Sequence, residues 1–304
     1  MFGKENFINK KILIYGLGLT GKSCFKYLSN RNDIILFDDN DSLKNKRNKN
    51  YFLNKKKILN LKFDHIVLSP GINIRKCKLK NYLNKYKTKI ITELDIFNII
   101  YPNNIKIAIT GTNGKSTTCQ MLYNIFKSNN FDTRLVGNIG NSPLLEKKIK
   151  EKTIFIVEAS SYQIFYSKYF KADHSAILNL SPDHLDRHRN INEYAKAKLK
   201  LIYNQENKKQ SYIEKNNKII NKNISINKIK SKINKLNYNK YEFFKKKIKN
   251  IYLLDKNNLN NIHFIYSICK NFKLSDNQIF NSLNKFKALK YRKEIVYNKR
   301  NLII

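Results

Sequence analysis

The chain has 304 residues, enough for two domains with separate cores, and 41% of them are apolar, which excludes wholesale disorder. The formal net charge of +38 is mostly lysine, spread through segments equally rich in Asn and Ile. That mixture is what an AT-rich coding sequence favours, and it lacks the arginine clusters with interleaved aromatics of a nucleic-acid module, so no specific nucleic-acid partner is expected. The isolated cysteines Cys24, Cys77, Cys119 and Cys269 have no metal-ligand spacing, and no stretch has the apolar length of a membrane span or a leader peptide. A cytoplasmic protein without membrane insertion is expected.

In chain order, KKILIYGLGLTGKSCFKYLSN reads as a strand over Lys11–Tyr15, a glycine turn and a helix. DIILFDD (Asp33–Asp39) is a second strand ending in carboxylates, FDHIVLSPGI (Phe63–Ile72) a third ending in a Ser-Pro-Gly turn, and KIIT (Lys89–Thr92) a short fourth. Strands alternating with helices predict a parallel α/β sheet, with its turns along one rim. After the turn-rich YPNN (Tyr101–Asn104) a second α/β unit begins, in which IKIAIT runs into GTNGKST and a helical pattern. TIFIVEASSYQI (Thr153–Ile164) predicts a buried strand ending in a carboxylate and hydroxyls. HSAILNLSPDHLDRH (His174–His188) predicts a strand entering a polar loop, and NINEYAKAKLKLIYNQ (Asn190–Gln205) an Asn-capped helix. Residues from about 207 to 250 are low in complexity, with short strands and turns predicted. Helices return at NIHFIYSICKNF and SDNQIFNSLNKF, and EIVYNKRNLII reads as a hairpin whose second strand is just beginning.

Gly16-Leu-Gly-Leu-Thr-Gly21 follows a strand, opens a helix, and is followed about twenty residues later by Asp38 and Asp39. Glycines at these positions let backbone N–H groups approach a diphosphate at a helix N-terminus. The nucleotide stays open on this evidence: NAD fits the spacing, and so does any other nucleoside diphosphate.

Gly111-Thr-Asn-Gly-Lys-Ser-Thr117 is a variant phosphate-binding P-loop in which Ile109 stands where the leading glycine of the common motif falls. Its backbone N–H groups would cradle phosphate oxygens, Lys115 would reach the terminal phosphates, and Ser116 would offer a hydroxyl to Mg²⁺. Such a loop needs a carboxylate at a neighbouring strand end, and Glu158 fits. Asp183, His184, Asp186 and His188 crowd one loop without the spacing of a zinc site. His188 is expected to be solvated, and His184 to lie nearer the phosphate rim. Lys196, Lys198 and Lys200 would by themselves be a solvated basic face.

TGTNGKST, EASSYQ, NLSPDHLDRH and YAKAK, in this order and spacing, resemble the Mur ligases. GLGLTG followed by SPG resembles the D-glutamate-adding branch of that family, with the likeness covering most of residues 10–204. The resemblance implies an α/β fold: a Rossmann-like parallel sheet that binds UDP (1–93), a P-loop NTPase-type central ATP-binding domain (94–288) and the start of a third domain (289–304). It implies that the first loop serves UDP, and that the reaction joins D-glutamate to UDP-N-acetylmuramoyl-L-alanine through an acyl phosphate, using ATP and Mg²⁺, in peptidoglycan synthesis. Carried over by position, Leu19, Thr20, Asp38, Ser69, Pro70 and Gly71 would hold the uridine diphosphate end, and Asn138 and Ser160 the muramoyl part. Gly111, Thr112, Asn113, Gly114, Lys115, Ser116, Thr117, Asn258, Asn261 and Arg292 would bind ATP. Ser116 and Glu158 would ligate one Mg²⁺, and His184 with a carbamylated Lys198 a second; Lys115, His184 and Lys198 would be the catalytic groups.

The sequence also departs from the family pattern. Its adenine-side motif GxHNxxN appears here as DKNNLNN, with Asp255 and Asn257 in place of Gly and His, and Asn40 stands where relatives often place an Arg. Because the chain stops within the predicted hairpin, a fragment with the D-glutamate site mostly absent is expected, with a non-catalytic UDP-sugar and nucleotide-binding remnant or interaction protein as the alternative. A folylpolyglutamate synthase would leave residues 1–93 unexplained, and a dehydrogenase would leave GTNGKST without a role.

Overall fold

The computed structural model describes residues 3–43, 48–183, 186–288, 298–299 and 302–303. They form two compact units, the first made of residues 1–103, 140–149 and 160–171, and the second of 104–139, 150–159 and 172–304.

The first unit runs β1 (Lys11–Tyr15), α1 (Leu19–Leu28), β2 (Asp33–Phe37), α2 (Lys55–Leu59), β3 (His65–Leu68), α3 (Lys80–Lys85), β4 (Ile90–Ile91) and α4 (Glu93–Ile100). Its strands are near-continuous apolar runs because a parallel sheet is covered on both faces, and Leu13, Tyr15, Phe37, Ile66 and Leu68 all lie in one core. The sheet order is β2-β1-β3-β4, all parallel. The chain therefore reverses direction across β1, and the crevice at that switch point lies above the carboxyl end of β1.

Helix α4 is started by a capping box in which Thr92 Oγ1 accepts from the Asp95 N–H and Asp95 Oδ2 accepts from the Thr92 N–H. The other oxygen of Asp95, fully buried, accepts from the hydroxyl of Ser167 and from the N–H groups of Lys168, Tyr169 and Phe170. One carboxylate thus fastens the 160–171 segment, with its helix α6 (Ser161–Tyr166), to the first unit. The strand expected over Thr153–Ile164 ends at Glu158, because the Ser160 side chain caps α6 in a reciprocal box with Gln163.

The second unit contains β5 (Lys106–Thr110), α5 (Lys115–Ser128), β6 (Thr133–Gly137), β7 (Ile154–Glu158), β8 (His174–Ile177), α7 (Ile191–Tyr203), β9 (Gln210–Glu214), α8 (Lys218–Asn223), β10 (Lys232–Leu236), α9 (Tyr241–Lys247), α10 (Lys256–Asn271) and α11 (Asp276–Asn284). The six strands are parallel in the order β10-β9-β8-β5-β7-β6, which places β5 between β7 and β8. Ile107, Ile109, Phe126, Ile156, Phe264 and Ile265 share the core on one face. On the other, α7 lays Tyr194, Leu199 and Ile202 against Ile177 and Ile213.

The low-complexity stretch holds two helices as well as two strands. Asn217 caps α8 by accepting from the Ile220 N–H, and α9 is anchored by the buried Phe244. Single anchoring residues of this kind leave no periodic apolar signal for sequence to show. At the end of the chain, β11 (Asn298–Lys299) and β12 (Leu302–Ile303) pair antiparallel, as the predicted hairpin requires. Among the described residues no helix is long and apolar enough to cross a membrane.

Candidate functional site

Strand β5 delivers the second glycine loop to the centre of its sheet. Gly114 has φ +82°, a left-handed conformation that favours glycine, and a Cβ there would lie 2.6 Å from Asn261 Oδ1. The loop is braced from β8: Asn179 accepts from the Asn113 N–H at 2.9 Å and donates to the Asn113 carbonyl at 3.1 Å, while the Asn179 carbonyl accepts from the Thr112 N–H. The Lys115 ammonium lies over the loop, donating to the carbonyls of Gly111 (3.0 Å) and Thr112 (2.8 Å). Ser116 and Thr117 are buried in the first turn of α5.

On one side of this loop β7 ends at Glu158, only 1% exposed. Its Oε1 accepts from Asn138 Nδ2 at 2.9 Å, and its buried Oε2 has no hydrogen-bond partner. Leaving a buried carboxylate oxygen unpaired is costly, so this atom is suited to a cation. On the other side α7 presents Lys198, also 1% exposed, whose Nζ donates to the Gly111 carbonyl at 2.8 Å and to Thr110 Oγ1 at 3.2 Å and lies 4.8 Å from the Tyr194 ring centre. Burial, reinforced by the charge of Lys115, pushes the Lys198 ammonium well below the ordinary lysine range, against the opposing pull of Asp183 and Glu158. The solvated reading of the YAKAK face therefore fails at Lys198, because the side of α7 that packs on β8 and β9 carries it inward. His188 is likewise buried rather than solvated, its ring packed at 5.4 Å against Tyr194.

These donors fit Mg²⁺: a carboxylate with an open oxygen and a serine hydroxyl are hard oxygen ligands, and magnesium is ordinarily completed by phosphates and waters rather than by a full protein cage. Among the described residues no cluster of three His, Cys, Asp or Glu side chains stands ready as a metal site.

Beside the loop lies a cavity of about 520 Å³, lined by Gly114, Thr117, Tyr238, Tyr252, Asn258 and Asn261 among others, within the usual size range of ligand pockets. Asp255 and Asn258 meet on its wall, where Asp255 caps α10 by accepting from the Asn257 and Asn258 N–H groups and from Asn258 Nδ2. The acid that departs from the GxHNxxN pattern thus has a local use, as the helix cap.

In the first unit, Gly16 has φ +95°, and a Cβ there would lie 2.7 Å from that of Ser69. Ser69 Oγ donates to the Gly16 carbonyl at 2.6 Å, and Ser69, Pro70 and Gly71 form the turn closed by the Ile72 N–H on the Ser69 carbonyl. Asp38 accepts from the Leu17 N–H at 2.6 Å and from the Asn40 N–H at 2.9 Å, while Asp39 receives the Tyr15 hydroxyl. Leu19, at the start of α1, is 91% exposed, and Thr20 follows it in the same turn.

Of the residues singled out from sequence, Gly111 to Thr117, Glu158, Lys198, Asn258 and Asn261 come together in the second unit, and Leu19, Thr20, Asp38 and Ser69 to Gly71 in the first. Asn138 has its amide on Glu158, and Ser160 serves as a helix cap. His184 and Arg292 lie outside the described residues. Sequence reasoning passed over Asn179 and Tyr194, although Tyr194 Oη lies 3.2 Å from Thr112 Oγ1. An Asn just past the end of an apolar strand that neighbours a P-loop was the available signal for the first.

The Mur ligase middle domain matches residues 109–283, and the MurD-like N-terminal domain of Mur ligases matches residues 10–91. The UDP-N-acetylmuramoylalanine–D-glutamate ligase of Rickettsia prowazekii (strain Madrid E) is 32% identical over 314 residues, covering 96% of this chain and 70% of the relative. Its counterpart in Francisella tularensis subsp. novicida (strain U112) is 35% identical over 298 residues, covering 94% and 64%. The chain thus spans 64–70% of the length of these two relatives. Among solved structures, the UDP-N-acetylmuramate:L-alanyl-gamma-D-glutamyl-meso-diaminopimelate ligase of Neisseria meningitides superposes with a TM-score of 0.61 at 12% identity, over 93% of this chain and 99% of that one. The UDP-N-acetylmuramate-alanine ligase of Thermotoga maritima does so with 0.52 at 14%, over 96% and 72%; at such identities the likeness concerns the fold. With both glycine loops at the switch points of parallel sheets and both domains matched, this chain belongs to the Mur ligase family.

Proposed function

We propose that the chain carries the UDP-binding and ATP-binding parts of a ligase that joins D-glutamate to UDP-N-acetylmuramoyl-L-alanine in peptidoglycan synthesis. Support for the specific substrates comes from the relatives named for that reaction and from the MurD-like match over the N-terminal domain. The observation that carries the chemistry is the open Oε2 of Glu158, buried beside a loop that holds Lys115 and Lys198. Bound Mg²⁺, held by Glu158 and Ser116, would supply positive charge against the phosphate oxygens of ATP.

The chain's own groups do the rest. Lys115 stabilises charge on the transferred phosphoryl group as the L-alanyl carboxylate takes it, and the loop N–H groups orient it; such preorganised charge is the main catalytic term in phosphoryl transfer. The Gly114–Asn261 packing sets the loop against the cavity that takes the base. Lys198 loses its ammonium proton more readily than an ordinary lysine, and the neutral amine is suited to add to CO₂ with release of a second proton, giving a carbamate that offers an oxygen ligand. In the first unit the N–H groups of Gly16 and Leu17 are taken by the Phe37 carbonyl and Asp38, so those at the start of α1 hold the UDP diphosphate.

The test is ADP formation from ATP with UDP-N-acetylmuramoyl-L-alanine and with UDP-N-acetylmuramate, a half-reaction that needs only these two parts and no amino acid. The reading requires more ADP with the L-alanyl compound; equal or greater ADP with UDP-N-acetylmuramate overturns it.

A further inference from the structure

Glu93, the first residue of α4, is a buried carboxyl that the mechanism above does not use. Its Oε1 lies 2.5 Å from the hydroxyl of Ser23 on α1 and 2.5 Å from that of Ser142 in the 140–149 segment. Ser23 has a second acceptor in range, the Thr20 carbonyl at 2.7 Å, and only one proton to give. With Glu93 ionised, both serines donate to it and the Thr20 carbonyl goes without the Ser23 proton. With Glu93 protonated, its O–H donates to Ser23, and Ser23 turns its own proton to Thr20.

Thr20 lies in the first turn of α1, where the diphosphate end of the substrate is read. Ser23 is four residues beyond Leu19, about 6 Å along the helix. A bound diphosphate would therefore set negative charge close to a buried carboxylate, and like charges disfavour ionisation. Burial already pushes the Glu93 carboxyl up, with the two serine hydrogen bonds pulling back. The titratable group facing it from α1 is the Cys24 thiol, held protonated by burial and by Glu93 itself. Asp95 on α4 is committed to Thr92 and to residues 167–170, the 140–149 segment presents Ser142, and no cation among the described residues is paired with Glu93.

We propose that Glu93 is a proton-linked positioning residue for the first glycine loop, taking up a proton when a nucleoside diphosphate binds and thereby turning Ser23 onto Thr20. This rests on the reading of that loop as a UDP site.

The test is calorimetric titration of the 304-residue chain with UDP-N-acetylglucosamine, whose diphosphate has no ionisation of its own between about pH 5 and pH 8, in two buffers of different ionisation enthalpy. The wild-type chain should bind with net proton uptake, its affinity falling about three- to tenfold across that range. Glu93→Gln should bind with a flatter profile and less uptake, the differences being the contribution of Glu93. Ser142→Ala, which removes one hydrogen bond to the ionised form, should move the fall in affinity to higher pH and gives a second reading should the first variant fold poorly. An unchanged pH profile and proton count in either folded variant overturns the role of Glu93. Absence of binding to the wild-type chain at every pH overturns the UDP reading itself, and this inference with it.

Discussion

In the first unit β1 lies between β2 and β3, and its glycine loop receives a carboxylate from the end of β2; in the second, β5 lies between β7 and β8, with a carboxylate at the end of β7. The strand orders differ, but in both a central parallel strand carries the glycine loop between two neighbours, and the use of the acid differs. Asp38 spends its oxygens on the N–H groups of Leu17 and Asn40, so it shapes the loop. Glu158 has one oxygen held by Asn138 and the other left open, so it is oriented and still able to bind a cation. An acid whose oxygens are both taken shapes a loop, whereas one with a buried oxygen left open keeps the capacity to take a cation.

Three substitutions test that distinction, and a fourth, at His174, tests what burial does to a base. The largest effect is expected from Glu158→Gln. Asn138 can still donate to the remaining carbonyl oxygen, so the thermal midpoint should hold, while ADP formation falls by roughly 10²–10³-fold, the scale of losing one preorganised electrostatic group. A variant with near-normal turnover would break the comparison. Asp95→Ala tests the opposite case, a carboxylate with every oxygen committed: it strands the Ser167 hydroxyl and three N–H groups and should cost about 3–5 kcal/mol in urea unfolding.

The substitution at His174 concerns pH. Burial holds the His174 imidazole down to about 4, below its ordinary 6.5, beside the Tyr212 hydroxyl. The unfolded chain therefore binds more protons between those values. The stability that neutral His174 contributes is complete above about pH 6.5 and is lost toward pH 4, about 3 kcal/mol over the window. His174→Gln should flatten that part of the pH dependence, read by urea unfolding at a series of pH values. The smallest effect is expected from Asp38→Asn, which keeps one acceptor for two N–H groups: about 1–2 kcal/mol in stability and a matching loss of UDP affinity, with ATP affinity unchanged.

Much of this was legible locally. Both glycine loops stand out because an apolar strand, glycines at fixed offsets and a helical pattern are neighbours in the chain, and the order GTNGKST, EASSYQ, YAKAK carries the family. The Asn190 cap is likewise a local pattern, and its side chain accepts from the Glu193 N–H where the sequence placed it. Helices α8 and α9 were not legible, since Asn217 and Phe244 act singly rather than in a repeat.

What only the tertiary structure decided is which polar groups lose their water. Lys196, Lys198 and Lys200 look alike in sequence, and packing of Tyr194, Leu199 and Ile202 against β8 and β9 buries Lys198 alone among them. Glu93 and Asp95 become buried in the same way, through partners distant in the chain. Sequence determined the turns and helix starts because those follow from backbone conformations available to a few adjacent residues. Desolvation, and with it the chemistry of Lys198 and Glu158, depends on neighbours that only folding brings together.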